Sequence, residues 1–240
     1  MNAHRTPTPR TPAPGTPAPC RADFSRPTTL NRLFPLILLL ALPFVIYGTA
    51  QRGLADVVAQ EPRYHIERWR AGKWVPDQFK LDAMQAELSK ALDLDPNNPN
   101  LLEDLGRFHA VRVERGKAYD PEVRAMRQQA LARFRQGLER RPTSGHAYVN
   151  VALMKYKLGE IDQEFSESLQ QAMRRSPWEP QVQLIGIELG LATWQALAET
   201  THEILKQAIQ AQAQWQLINQ KPALQSLLKR YRRPDLAHLL

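Results

Sequence analysis

Ala130-Leu131-Ala132-Arg133-Phe134-Arg135-Gln136-Gly137-Leu138-Glu139-Arg140-Arg141-Pro142 decides the fold, because two other stretches of the chain repeat its layout. Ala130 and Phe134 lie four residues apart, one helical turn, and a proline closes the stretch. Ahead of it, Met84-x3-Leu88-x2-Ala91 runs into Leu94-Asp95-Pro96. Behind it, Phe165-x3-Leu169-x2-Ala172 runs into Pro177. From the first apolar position to the proline the spacing is twelve residues each time: 84 to 96, 130 to 142 and 165 to 177. A single match of this kind is weak. Three in phase predict a helical repeat.

Each copy needs a partner helix upstream. Leu102-x2-Leu105-Gly106-x2-His109 supplies one, and Tyr148-x2-Val151-Ala152, followed by Lys157-Leu158-Gly159-Glu160, supplies another. Together these stretches follow the tetratricopeptide layout W-x2-L-G-x2-Y, then A-x3-F, then P. A small residue, Gly106 or Ala152, lets two antiparallel helices approach, and the larger apolar residues fill the space between them. Proline ends the second helix because it lacks the amide proton that would continue the ladder. One hairpin cannot bury its own apolar face, so the prediction is an all-α fold in which hairpins stack as a solenoid over residues 77–240. His109 takes an aromatic position of the repeat, where packing is its expected role.

The pattern departs from the consensus in three places. About twelve extra residues lie between the helices of the middle repeat, around Glu114-Arg115-Gly116-Lys117-Ala118-Tyr119-Asp120-Pro121, predicting a longer hairpin or a protruding loop. The first repeat has no clear leading helix, since Ala71-Gly72-Lys73-Trp74-Val75-Pro76 reads as a turn; residues 52–76 are expected to be a juxtamembrane helix and linker. After Trp178-Glu179-Pro180 the consensus fades. Residues 181–197 and 200–220 still read as a capping hairpin, with Ile204, Ala208, Ala211, Trp215 and Ile218 on one face, before a last helix from about Pro222 to Tyr231.

The N-terminal part is of a different kind. Residues 1–32 are rich in Pro and Thr, have almost nothing apolar to bury, and predict a disordered tail. Leu33 to Gln51 then runs without a charge between Arg32 and Arg52. As a helix it spans roughly 28 Å, near the hydrocarbon thickness of a bilayer, with a kink expected at Pro43. A cleaved signal peptide would use the small residues near Gly48-Thr49-Ala50, but the long preceding tail favours an uncleaved anchor in the lipid bilayer over residues 33–51. Arginines flank both ends of the span, so orientation rests on the short tail, which places the tail inside and the domain outside.

Composition narrows the function. The net charge of +8 is spread along the chain, with no basic stripe interleaved with aromatics, which argues against a nucleic-acid partner. Cys20 is the single cysteine, so neither an intramolecular disulfide nor a cysteine-based zinc site can be built. The six histidines show no i, i+4 pair, and no metal site is expected. Asp93-x-Asp95-x-Asn97 with Asp104 lacks the glycine and terminal glutamate of a calcium loop and fits an inter-repeat turn better. No phosphate loop or nucleophile elbow occurs, so the reading is of a non-enzyme without cofactor. Partner binding falls to the concave side of each first helix: Asn100, Glu103 and Arg107 from one repeat, then His146, Val149, Asn150 and Leu153 from the next. Of these, Asn100, Glu103, Arg107, His146 and Asn150 are the candidate partner-binding residues. Trp178 and Trp194 are candidate glycan platforms, though core packing is the expectation for both.

From Arg52-Gly53-Leu54-Ala55-Asp56-Val57 onward the sequence resembles the VpsP-type polysaccharide biosynthesis proteins. The resemblance is carried by Asn98-Pro99-Asn100-Leu101-Leu102-Glu103-Asp104-Leu105-Gly106, Arg141-Pro142-Thr143-Ser144 and Lys155-Tyr156-Lys157-Leu158-Gly159-Glu160. Pro177-Trp178-Glu179-Pro180-Gln181-Val182-Gln183-Leu184 and Leu189-Gly190-Leu191-Ala192-Thr193-Trp194 are its more discriminating segments. It implies a bacterial inner-membrane accessory role in exopolysaccharide biosynthesis or export, with protein partners in that complex, and supplies no catalytic residues. The alternative is an anchored adaptor for another envelope process, such as cytochrome or secreted-protein maturation.

Overall fold

A computed structural model describes residues 29–117, 119–214 and 220–240. The tail before Thr29, together with Cys20, Trp215 and Ile218, lies outside them. The described residues are helical almost throughout, and none forms a strand. Two compact units divide the chain, residues 1–46 and 47–240, and helix α1 (Thr29–Arg70) has residues in both. It starts inside the stretch expected to be tail and runs through Pro35 and Pro43 without a break. In the first unit its side chains from Ile37 to Ile46 are exposed, Phe44 at 79%. It is the one helix among the described residues long and apolar enough to cross a membrane.

The second unit is a series of antiparallel hairpins. The C-terminal part of α1 faces α2 (Gln78–Leu94); α3 (Pro99–Arg112) pairs with α4 (Pro121–Arg140), and α5 (Gly145–Leu158) with α6 (Gln163–Arg175). Then α7 (Pro180–Ala192) packs with α8 (Glu199–Gln214), and α9 (Lys221–Arg230) and a closing 3-10 turn, Pro234–Leu239, finish the chain. Each hairpin lies on the next through α2 on α3, α4 on α5, and α6 on α7 and α8.

The twelve-residue phase reappears as geometry. Met84, Ala130 and Phe165 are all fully buried. Asp95, Arg141 and Ser176, the residues just before the three prolines, cap their helices by donating backbone N–H to Ala91, Gly137 and Ala172. The next turn is the same each time: Asn98 donates to Asp95 at 3.1 Å, Ser144 to Arg141 at 3.1 Å and Glu179 to Ser176 at 3.2 Å, backbone to backbone. Asn98 and Ser144 then cap the following helix with their side chains. Asp95 and Asn98 also bond to one another here, at 3.1 Å, so the calcium-like spacing is used as a turn. Gly106 sits where α3 meets α4; a methyl group there would come within 2.6 Å of the buried Phe134 ring.

Two expectations are corrected, and both alternatives offered for the insertion hold. The part of α1 read as juxtamembrane helix and linker provides the leading helix of the first hairpin. Ala55, Ala59 and Ile66 are buried with Met84, Leu88, Leu101 and Phe108, which carries the compact unit back to Tyr47 rather than residue 77. The insertion after α3 both lengthens α4, to 20 residues against 13 in α6, and forms a loop. Buried Arg127 pins that loop by donating to the carbonyls of Gly116 (3.1 Å) and Lys157 (2.9 Å), the second being an orphan carbonyl at the end of α5. On α8 the buried stripe is shifted from the one expected: Ala208 is buried as expected, but Leu205, Ile209, Gln212 and Ala213 face inward with it, while Ala211 is exposed. Gln212 tolerates this because its amide donates to the Pro177 carbonyl at 3.1 Å, a capping bond that an apolar pattern does not reveal.

Candidate functional site

Two clefts open on one side of the hairpin series, and Arg107 lines both. The smaller, about 310 Å³, is walled by α1, α3, the end of α4 and the start of α5. Asn100, Glu103, Arg107 and His146 line it, so four of the five candidate residues come together. Asn150 lines the other cleft. Val149 does not take part: it is buried against Ala172 and Val182.

The smaller cleft is a charge lock. Glu103 and Asp104, at 2% and 4% exposure, are buried side by side on α3. Arg141 reaches Glu103 at 2.6 Å, Arg63 of α1 binds Asp104, and Arg107 reaches both carboxylates at 3.4 Å. Burial holds the Asp104 carboxyl above the ordinary carboxylate range, a rise that the hydrogen bond and charge of Arg63, followed by the charge of Arg107, offset only in part. Buried acids left without these guanidiniums would carry a desolvation cost of several kcal/mol. Glu103 therefore holds Arg141 and Arg107 in position and offers little surface to a partner. On the rim, His146 lies 3.7 Å from Glu179, and Glu67 is held by Arg70 at 3.1 Å.

The larger cleft, about 730 Å³, runs over the C-terminal half of α3, across α5, to α7. Ala110, Leu153, Ile185 and Leu189 supply aliphatic surface, with Tyr156 and Tyr231 beside them. Its charged residues are Arg70, Arg107, Arg112, Arg115 and Lys157, against Glu114 and Glu188. Both carboxylates are occupied: Glu114 by Lys157 at 2.5 Å, Glu188 by Arg230 at 2.7 Å and by the Tyr231 hydroxyl at 3.3 Å.

His109, next to Ala110 on α3, is buried with its ring edge against Phe108, as an aromatic repeat position requires. Burial, then the charges of Arg133 and Arg112, lower its pKa to about 4. It is a neutral packing residue at physiological pH.

The tryptophans separate. Trp178 is 76% exposed, contrary to the core role expected of it. It follows Pro177 as Asn97 follows Pro96 and Thr143 follows Pro142, and that turn position faces water in all three repeats. Trp194 stacks on His202, centroids 3.9 Å apart and rings 2° from parallel, with the Arg233 guanidinium 3.8 Å from its ring. A ring so covered has no clear face for a sugar.

Sequence reasoning missed Arg63, Asp104 and Arg141 in the smaller cleft and Arg70, Arg112 and Arg115 in the larger one. Arg63 was within reach, since Ala55, Ala59 and Ile66 lie at helical spacing through the stretch read as juxtamembrane helix and linker. No family model matches the chain, and no curated protein matches it.

Proposed function

We propose that this chain is a single-pass bacterial inner-membrane protein whose hairpin domain, of tetratricopeptide type, is a non-catalytic scaffold in exopolysaccharide biosynthesis or export. The observation that carries the proposal is the larger cleft, formed by α3, α5 and α7 in turn, on a chain that also bears a helix apolar enough to cross a membrane. Successive first helices that share one open surface suit recognition of another protein. A membrane anchor raises the effective concentration of such a surface near membrane-bound partners. In the smaller cleft the carboxylates are engaged by arginines, an arrangement that supports a structural role over acid–base chemistry. The process assigned rests on the segments Pro177–Leu184 and Leu189–Trp194 that carry the resemblance to the polysaccharide proteins.

Deleting the gene tests the proposal: surface polysaccharide is lost while growth continues. Normal polysaccharide with a defect in cytochrome or secreted-protein maturation transfers the scaffold to that process and refutes the polysaccharide role. The domain is proposed to face the periplasm. A Thr143→Cys variant in a Cys20→Ser background is then labelled by an impermeant maleimide in intact cells; protection until lysis places the domain in the cytoplasm instead.

A further inference from the structure

We infer that the larger cleft takes a peptide segment of a protein partner that carries apolar side chains at its centre and carboxylates at one flank. This rests on the scaffold reading and names the chemistry of what is bound.

Two features of the cleft fix that chemistry. The first is the aliphatic floor of Leu153, Ile185 and Leu189, contributed by α5 and α7. Leu153 and Ile185 keep part of their surface exposed, so apolar area remains for a ligand to cover. The second is uncompensated charge at one end. Glu114 and Glu188 are neutralised within the cleft wall, Arg70 is held by Glu67, and Arg107 by Glu103 and Asp104. Arg112 and Arg115 are different: neither makes an ion pair among the described residues. Arg112 is half-buried, on the last turn of α3, and Arg115 stands exposed on the loop that Arg127 pins. Two such guanidiniums beside aliphatic surface match a carboxylate next to a Leu- or Ile-like side chain, and a planar guanidinium grips carboxylate in a bidentate way.

Other anionic ligands fit less well. An acidic polysaccharide would meet the arginines, but it would lay hydroxyls on an aliphatic floor that offers them no hydrogen bonds. Single-stranded nucleic acid requires successive aromatic platforms for its bases, and Tyr156 and Tyr231 are the cleft's only aromatics besides Trp69 and Phe134, the last fully buried. The volume lies within the range of pockets that enclose a few side chains rather than a folded domain.

The test uses the full chain in detergent micelles and a fluorescein-labelled decapeptide with Leu and Ile at its centre and Asp and Glu at one end. Two control peptides reverse the end charges to Lys and Arg, or replace the apolar centre by Ser. We expect the acid-flanked apolar peptide to bind at least tenfold more tightly than either control. Its affinity is expected to fall at least tenfold in the Arg112→Glu/Arg115→Glu variant, whose melting profile confirms that it is folded. Equal binding of the three peptides, or unchanged binding by the variant, overturns the inference. Displacement of the peptide by polygalacturonate at comparable site concentration overturns it in favour of a glycan. Surface polysaccharide output in the deletion strain is read separately. A deletion strain with normal polysaccharide refutes the proposed process and leaves the peptide result standing. A failed peptide beside a polysaccharide-deficient deletion strain removes this occupant alone.

Discussion

The two clefts share Arg107 and lie along one helix, yet their charges are organised in opposite ways. At the N-terminal end of α3 each buried carboxylate has its guanidinium, and the arginines come from three different helices or their ends: Arg63, Arg107 and Arg141. At the C-terminal end Arg112 and the following Arg115 have no acidic partner among the described residues, and they line one cleft with the aliphatic Leu153 and Ile185. Charge that is buried and paired ties helices together. Charge that is unpaired beside apolar surface contributes little to folding and is available to a ligand. The difference assigns stability to one end of α3 and recognition to the other, and it can be attacked from either side.

The largest effect should come from breaking the lock. Glu103→Ala leaves Arg141 without its 2.6 Å partner and removes one of the two contacts of Arg107. Removing one member of a fully buried pair costs about 3–5 kcal/mol. Arg107 and Arg141 are 34% and 40% exposed and can rehydrate, so about 2–3 kcal/mol is expected here. Urea unfolding of the full chain in detergent measures it. A loss below about 0.5 kcal/mol would mean that the Glu103 part of the lock is not what holds α3 and the end of α4 together.

The next effect is a pH response from the same helix. His109 has a native pKa of about 4 against an ordinary 6.5, because its ring is buried and Arg133 and Arg112 are near. The sign follows from proton binding. Below 6.5 the unfolded chain takes up a proton that the native state refuses, so stability falls as pH drops, down to about 4. Between pH 7.5 and pH 5 the histidine accounts for a loss of about 2 kcal/mol. Comparison with His109→Phe isolates it from the carboxylates: the variant keeps the aromatic packing and should lack this part of the slope. Parallel pH profiles for the two proteins would show that the ring gains protonation freely and is not shielded by the core.

How far these features were legible in the sequence depends on whether periodicity carries them. The repeat phase was readable because Met84, Ala130 and Phe165 recur at fixed distance from a proline, and steric exclusion by Gly106 against Phe134 follows from the same spacing. Asn100, Glu103, Arg107 and His146 were found by projecting that register onto one face. What the register does not report is depth. Glu103 and Asp104 look solvated in a helical projection, and only the approach of α1 and of Arg141 buries them. Arg63 was lost with the first hairpin, because its leading helix is continuous with the apolar stretch and carries no repeat consensus. Trp178 was misjudged by residue type, as hydrophobicity pointed inward while its turn position pointed outward.

The smallest effect is the most discriminating. Arg112→Ala/Arg115→Ala removes two cations that make no ion pair among the described residues, so folding should lose almost nothing, within about 0.5 kcal/mol by the same urea titration. Arg112 also helps to depress the pKa of His109, so its loss should let that pKa rise slightly and flatten the stability profile below pH 6. A near-neutral double substitution next to a costly Glu103→Ala would confirm that the ends of α3 are divided between recognition and stability. A double substitution as damaging as Glu103→Ala would mean that these arginines serve the fold, and the argument for a ligand at the larger cleft would lose its charge complementarity.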